Sequence, residues 1–111
     1  MVTDTRLEKI LLEIVDAIKV KYAPEKIILY GSFAYGVPDA NSDIDLLIIK
    51  KTPERALDRR VKVRRIVDIR DSSYPPFSPL VLTPEEVKRR LEIGDQFIQE
   101  ILTKGEVLYA R

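Results

Sequence analysis

Residues 43–50, Asp-Ile-Asp-Leu-Leu-Ile-Ile-Lys, constrain the fold of this chain more than any other stretch. Its second half, Leu46-Leu47-Ile48-Ile49, is apolar on both sides of an extended backbone. A strand with two apolar faces needs a cover on each, and in layered proteins helices supply it. The run is far too short to span a bilayer, which takes about 20 residues. It therefore predicts a central strand with helices above and below.

The flanking segments supply the other layers. Leu7, Ile10, Leu11, Ile14, Val15 and Ile18 recur at three and four, which predicts a helix over about 5–21 with Thr3 or Thr5 as its cap. Ala23-Pro24 ends it. Lys26 to Tyr30 reads as a short buried strand, Gly31 stops it, and 32–36 reads as one helical turn before a loop dense in turn formers. Thr52-Pro53-Glu54 is a helix start with Thr52 as cap. Residues 54–70 fit two patterns: Val61, Val63, Val67 and Ile69 alternate as in a strand, while Ala56, Val63 and Val67 share a helical face. Helix is the favoured assignment. Phe77 to Leu82 is a second apolar strand, and Pro79 within it predicts an edge position or a bulge. Thr83 and Glu86 have capping-box spacing, and helical patterning runs on from there with a break at Gly94. Gly105 ends it, and Val107-Leu108-Tyr109 is a last strand. The expected fold is α/β (α+β), a single mixed sheet flanked by helices, with one domain over residues 1–111.

Composition narrows the chemistry. The chain has no Cys and no His. Thiolate or imidazole metal sites, cysteine nucleophiles and Ser-His devices are therefore excluded. Any catalysis rests on carboxylates, hydroxyls, Lys, Arg, or a metal held by oxygen. The N-terminus has no apolar core following a basic start, which predicts no signal peptide and a cytoplasmic protein.

The candidate site lies between Gly31 and Asp45. A glycine at a strand end lets the backbone approach an anion, a following turn offers amides, and the Ser32 hydroxyl adds a donor. That combination suits phosphate oxygens. Asp43 and Asp45 stand two apart on a strand and so point to one face. At about 6 Å and an effective dielectric near 20 their repulsion is roughly 3 kcal/mol. A divalent cation offsets such repulsion, and hard oxygen ligands favour Mg²⁺ or Mn²⁺ over zinc. Neither half of the pattern is rare alone. A strand ending in Gly-Ser, ten intervening residues, and Asp-Ile-Asp opening an apolar strand together are far rarer.

That pattern, Gly31-Ser32-Phe33-Ala34-Tyr35-Gly36 through Ser42-Asp43-Ile44-Asp45-Leu46-Leu47-Ile48, resembles the Gly-Ser-x10-Asp-x-Asp motif of the DNA polymerase beta-like nucleotidyltransferases. More narrowly, the chain resembles the minimal nucleotidyltransferases of prokaryotes. The match is dense over about residues 26–50 and weaker through Thr83 to Glu86 and the closing strand. The resemblance implies the polymerase beta-like palm fold, ATP or another nucleoside triphosphate, and Mg²⁺. Gly31 and Ser32 would bind the triphosphate, and Asp43 and Asp45 would hold the metal and carry catalysis. Two positions depart from the family pattern. Tyr35 stands where an Arg is frequent. The family's third carboxylate, which helps bind metal and activates the acceptor hydroxyl, falls on Ser78. Asp71 or Glu85 could replace it only if the chain bends back.

The net charge of +1 conceals a basic block: residues 50–70 carry 9 basic and 3 acidic side chains. Arg55, Arg59, Arg60, Lys62, Arg64, Arg65 and Arg70 fit a solvated helix that balances acidic neighbours, or a surface for a polyanion such as RNA or the triphosphate, or an acidic protein partner. Few aromatics and no stacking motif argue against a nucleic-acid reader. The resemblance also implies a separate chain that supplies the acceptor, in the family often a small helical HEPN protein of a toxin–antitoxin pair. Phe97, Ile98, Ile101 and Leu102 fit either an interface or a core-facing stripe, of which the core is the commoner use.

Overall fold

Helix α1 (Thr5–Tyr22) turns Ile10, Leu11, Ile14, Val15 and Ile18 inward, as the three-and-four spacing requires. A computed structural model describes residues 5–39, 41–67 and 75–111. Beyond α1, the order is β1 (Lys26–Tyr30), a 3₁₀ turn (Gly31–Phe33), β2 (Ile44–Ile49), α2 (Ala56–Ile66), β3 (Phe77–Leu82), α3 (Pro84–Glu92), α4 (Gln96–Lys104) and β4 (Glu106–Ala110). Thr3 and residues 68–70 of the expected second helix lie outside the described residues.

The four strands form one mixed sheet in the order β3-β2-β1-β4. Strand β1 is antiparallel to both β2 and β4, and β2 is parallel to β3. A parallel neighbour demands a crossover, and α2 provides it. The doubly apolar strand is an interior one, as its pattern requires. Ile44, Leu46 and Ile48 join a core with α1 and α2 on one face, and Leu47 and Ile49 join a second core with α3 and α4 on the other. Leu46 and Leu47 are both fully buried, on opposite faces. Truncating either to Ala would cost about 2–5 kcal/mol. Pro79 sits on the edge strand β3, opposite Leu46 and without a bulge in the register. An edge strand has a neighbour on one side only, which tolerates a residue lacking an N–H.

Three local details differ from expectation. Thr52 does not cap α2: its hydroxyl accepts from the Glu54 amide at 3.2 Å, and the helix begins four residues later, after Arg55. This short side-chain turn competes with helix initiation, as Ser and Thr often do. The Gly-Ser turn is a 3₁₀ turn over Gly31–Phe33 rather than a turn of α-helix over 32–36. The break at Gly94 (φ +78°) is complete, and Asp95 caps a separate α4 by accepting from the Ile98 amide. The Thr83–Glu86 capping box is present with both reciprocal bonds.

One charged side chain links three elements. Arg59 of the basic block is only 6% exposed. Its guanidinium donates to Glu54 O at 2.7 Å, Glu86 Oε1 at 2.6 Å and Val81 O at 3.4 Å. It thereby ties α2 to β3 and to the cap of α3. No helix among the described residues is long and apolar enough to cross a membrane.

Candidate active site

The site begins where β1 runs out. Tyr30 is extended, and Gly31 turns the chain with φ +75°, a conformation that costs an L side chain about 1–2 kcal/mol. The Gly31 carbonyl accepts from both Ala34 and Tyr35 amides at 3.0 Å, which closes the turn. Gly31 has a second reason to lack a side chain: a Cβ there would stand 2.5 Å from Asp45 Oδ2. Gly36 lets the loop fold back, since a Cβ at that position would meet the Ser32 backbone at 2.9 Å. The loop then closes on itself before β2. Asp39 accepts from the Asn41 amide through its carboxylate, and from the Ser42 amide through its carbonyl, while the Ser42 hydroxyl accepts from the Asp39 amide.

Asp43 and Asp45 follow at the opening of β2. The faces of β2 alternate, so Asp45 belongs to the face that carries Leu47 and Ile49, on the α3–α4 side. Asp43 is exposed and Asp45 partly buried. Burial raises the carboxyl of Asp45 above the usual range, and the Asp43 charge raises it further. Tyr30 lies directly opposite Asp45 on β1, and Ser78 directly beside it on β3. The Tyr30 hydroxyl is pushed up to about 12, by burial first and then by the proximity of Asp45 and Tyr35. The Gly-Ser turn thus meets Asp45 at one end of the sheet, with Asp43 next to it.

The donor set fits a hard divalent cation. Asp45 is unfavourably desolvated while ionised, the neighbouring Asp43 charge adds to that penalty, and Gly31 leaves open space against the Asp45 carboxylate. A cation would relieve both the repulsion and the desolvation. Among the described residues, no third acid joins them to make a metal cluster. The register explains why. Ser78 holds the position beside Asp45, and β3 runs parallel to β2 towards Leu82, which lies beside Ile49. Glu85 therefore sits at the far end of the sheet, near Lys51, Thr52 and Pro53. Asp71 lies outside the described residues.

The basic helix is on the other side. α2 packs with α1 against the face of Ile44, Leu46 and Ile48, opposite that of Asp45. Arg59 is buried, Arg55 pairs with Asp58, and Lys62 pairs with Glu54. Arg60, Arg64 and Arg65 are exposed, and Arg70 lies outside the described residues. The block is thus partly a structural ion-pair network and partly a solvated helix face. Of the α4 stripe, Ile98 and Ile101 enter the core, whereas Phe97 and Leu102 remain 47% and 37% exposed. Phe97 and Tyr30 pack in a T-shaped pair with ring centroids 5.6 Å apart, and Tyr30 is the cross-strand neighbour of Asp45.

A mixed sheet that sets a Gly-Ser turn against an Asp-x-Asp strand defines a nucleotidyltransferase class of fold. The chain belongs to the polymerase beta nucleotidyltransferase family, whose model matches residues 13–111. It is 35% identical over 109 residues to a protein of Methanocaldococcus jannaschii named "Putative protein adenylyltransferase MJ1305", covering 95% of this chain and 73% of that one. It also superposes on the crystal structure of a "putative nucleotidyltransferase" from Sulfolobus solfataricus with a TM-score of 0.65. That match has 25% identity and covers 96% of this chain and 82% of the other.

Proposed function

We propose that this chain binds ATP with Mg²⁺ and transfers AMP to a hydroxyl of a protein acceptor. The observation that carries the reading is the meeting of the Gly31-Ser32 turn with the Asp45 carboxylate, where a glycine makes room for the acid. Family membership supports the reaction class, and the similarity to a protein named for adenylyl transfer to protein supports the acceptor. In this scheme the acceptor hydroxyl oxygen bonds to the α-phosphorus and releases its proton to water, the bond from that phosphorus to the α–β bridging oxygen breaks, and pyrophosphate leaves with that oxygen. Asp43 and Asp45 would hold the Mg²⁺ ion, which would supply charge neutralisation of the phosphates. Gly31 and Ser32 orient the triphosphate tail. The folded unit of 1–111 acts as a minimal transferase whose acceptor is brought by a separate chain, such as a small helical HEPN-type toxin that it neutralises.

Ser78 favours a second reading. The residue beside Asp45 has no carboxylate to take the acceptor proton. In that reading the chain is a nucleotide-binding antitoxin or regulatory subunit without turnover. One experiment separates the two: ATP labelled at the α-phosphate, Mg²⁺, and the protein partner that co-purifies. Label appearing on the partner, and lost with Asp45→Asn, supports transfer. Nucleotide binding without label supports the regulatory subunit, and equal labelling by Asp45→Asn contradicts the site assignment.

A further inference from the structure

Tyr30, the cross-strand neighbour of Asp45, pairs with Phe97 to form an aromatic ledge on the side of Asp45 away from Ser78. The strand order gives this direction: β3, with Ser78, flanks β2 on one side, and β1, with Tyr30, flanks it on the other. Tyr30 is the cross-strand partner of Asp45, so its ring rises from the same face one strand spacing away, about 5 Å. From there a single edge-to-face step of 5.6 Å, with the planes at 81°, reaches Phe97 on the first turn of α4.

The two rings have different exposures. Tyr30 is partly buried among Ile28, Leu47 and Ile98, while Phe97 leaves nearly half its surface to solvent. Ile93, just before the Gly94 turn, is 75% exposed. A half-exposed aromatic held in place by a partner ring, itself the cross-strand neighbour of Asp45, has the attributes of a stacking platform. Every nucleobase has a π-face, and base–aromatic stacking needs no hydrogen-bond code.

We infer that Phe97, braced by Tyr30, stacks the nucleobase of the triphosphate whose phosphates lie at Gly31, Ser32, Asp43 and Asp45. The inference rests on the nucleotide-site reading above and adds a base-binding residue to it. It assigns the β1–α4 side of the carboxylates to the nucleoside and leaves the β3 side, at Ser78, to the acceptor. The alternative use of Phe97, as an apolar contact for a protein partner, makes no demand on nucleotide affinity.

The test compares ATP with inorganic tripolyphosphate, both with Mg²⁺, by calorimetric titration. The wild type binds both. Phe97→Ala weakens ATP by roughly tenfold, within the range of a lost base–aromatic stack, and leaves tripolyphosphate unchanged. Phe97→Tyr keeps wild-type affinity for both. A spectroscopic arm uses the absence of Trp from the chain. In Phe97→Trp the only indole reports on this position, and its emission changes with ATP but not with tripolyphosphate. Equal ATP affinity in Phe97→Ala and wild type, or an indole signal indifferent to ATP, overturns the base-stacking role and leaves the phosphate site standing. If the wild type binds neither ligand, the nucleotide-site reading fails and this inference falls with it.

Discussion

Ser78 lies in register with Asp45 across the parallel β2–β3 pair, on the same face of the sheet. A hydroxyl therefore stands at the position where the family resemblance implies a third acid. Ser78→Asp should supply that acid to the metal and to the acceptor proton. General-base assistance contributes about 10²–10⁴-fold, so transfer of label from ATP should rise by about 10²-fold or more in the variant. The added acid also crowds two existing ones, so the metal-free protein should melt lower and gain more from Mg²⁺ than the wild type does. Parallel thermal melts with and without Mg²⁺ check this.

Gly31→Ala combines two penalties. The φ of +75° is unfavourable for an L side chain, and the new Cβ would press on Asp45 Oδ2. The backbone term alone is about 1–2 kcal/mol. Urea unfolding should show at least that loss, and ATP titration should show loss of binding because the carboxylate is displaced.

Asp45→Asn should move stability and function in opposite directions. The ionised Asp45 is penalised by burial and by Asp43, so removing its charge should raise the melting temperature in metal-free buffer. The same change should abolish Mg²⁺-dependent nucleotide binding. A folded, more stable and non-binding variant is the expected combination, read by calorimetry and by titration.

Glu86 makes stability depend on acid. Desolvation is the largest single influence and acts to raise its carboxyl. The Thr83 backbone bond, the Arg59 bond and charge, and the Thr83 side-chain bond outweigh it, so the net shift is downward from 4.5. A depressed folded pKa means the stabilisation is present above the unfolded value and lost as pH falls through the folded one. Glu86→Gln should therefore flatten the acid limb of a urea-derived stability profile below the ordinary glutamate range, and leave less to lose there. Arg59→Met should destabilise even at neutral pH, because the Val81 and Glu54 carbonyls and the Glu86 carboxylate lose their buried donor.

How much of this was legible in sequence follows from what periodicity can encode. The two-faced apolar run at Leu46–Ile49 dictated an interior strand between helical layers, and that is where β2 lies. Pro79 announced an edge or a bulge, of which the edge is found, and Thr83 with Glu86 announced a helix start, because each acts through its own backbone. Arg59 was hidden. Charge patterning assigns it to a solvated block, whereas its burial depends on Glu86, 27 residues away. The Gly31–Asp45 contact was half visible: the motif pairs the two residues, but only the fold shows that the glycine makes room for the acid as well as the turn. Phe97 was left open between core and interface by its helical spacing, and only the fold shows it 47% exposed and paired with Tyr30.

The central claim is that Gly31, Ser32, Asp43 and Asp45 form one Mg²⁺-dependent nucleotide site. Calorimetric titration of ATP into the wild type, with Mg²⁺ and then with a chelator, tests it most directly alongside Asp45→Asn. The account predicts a single site that requires Mg²⁺ and vanishes in Asp45→Asn while that variant remains folded. ATP binding of equal strength in the chelator, or in the folded Asp45→Asn variant, would contradict it.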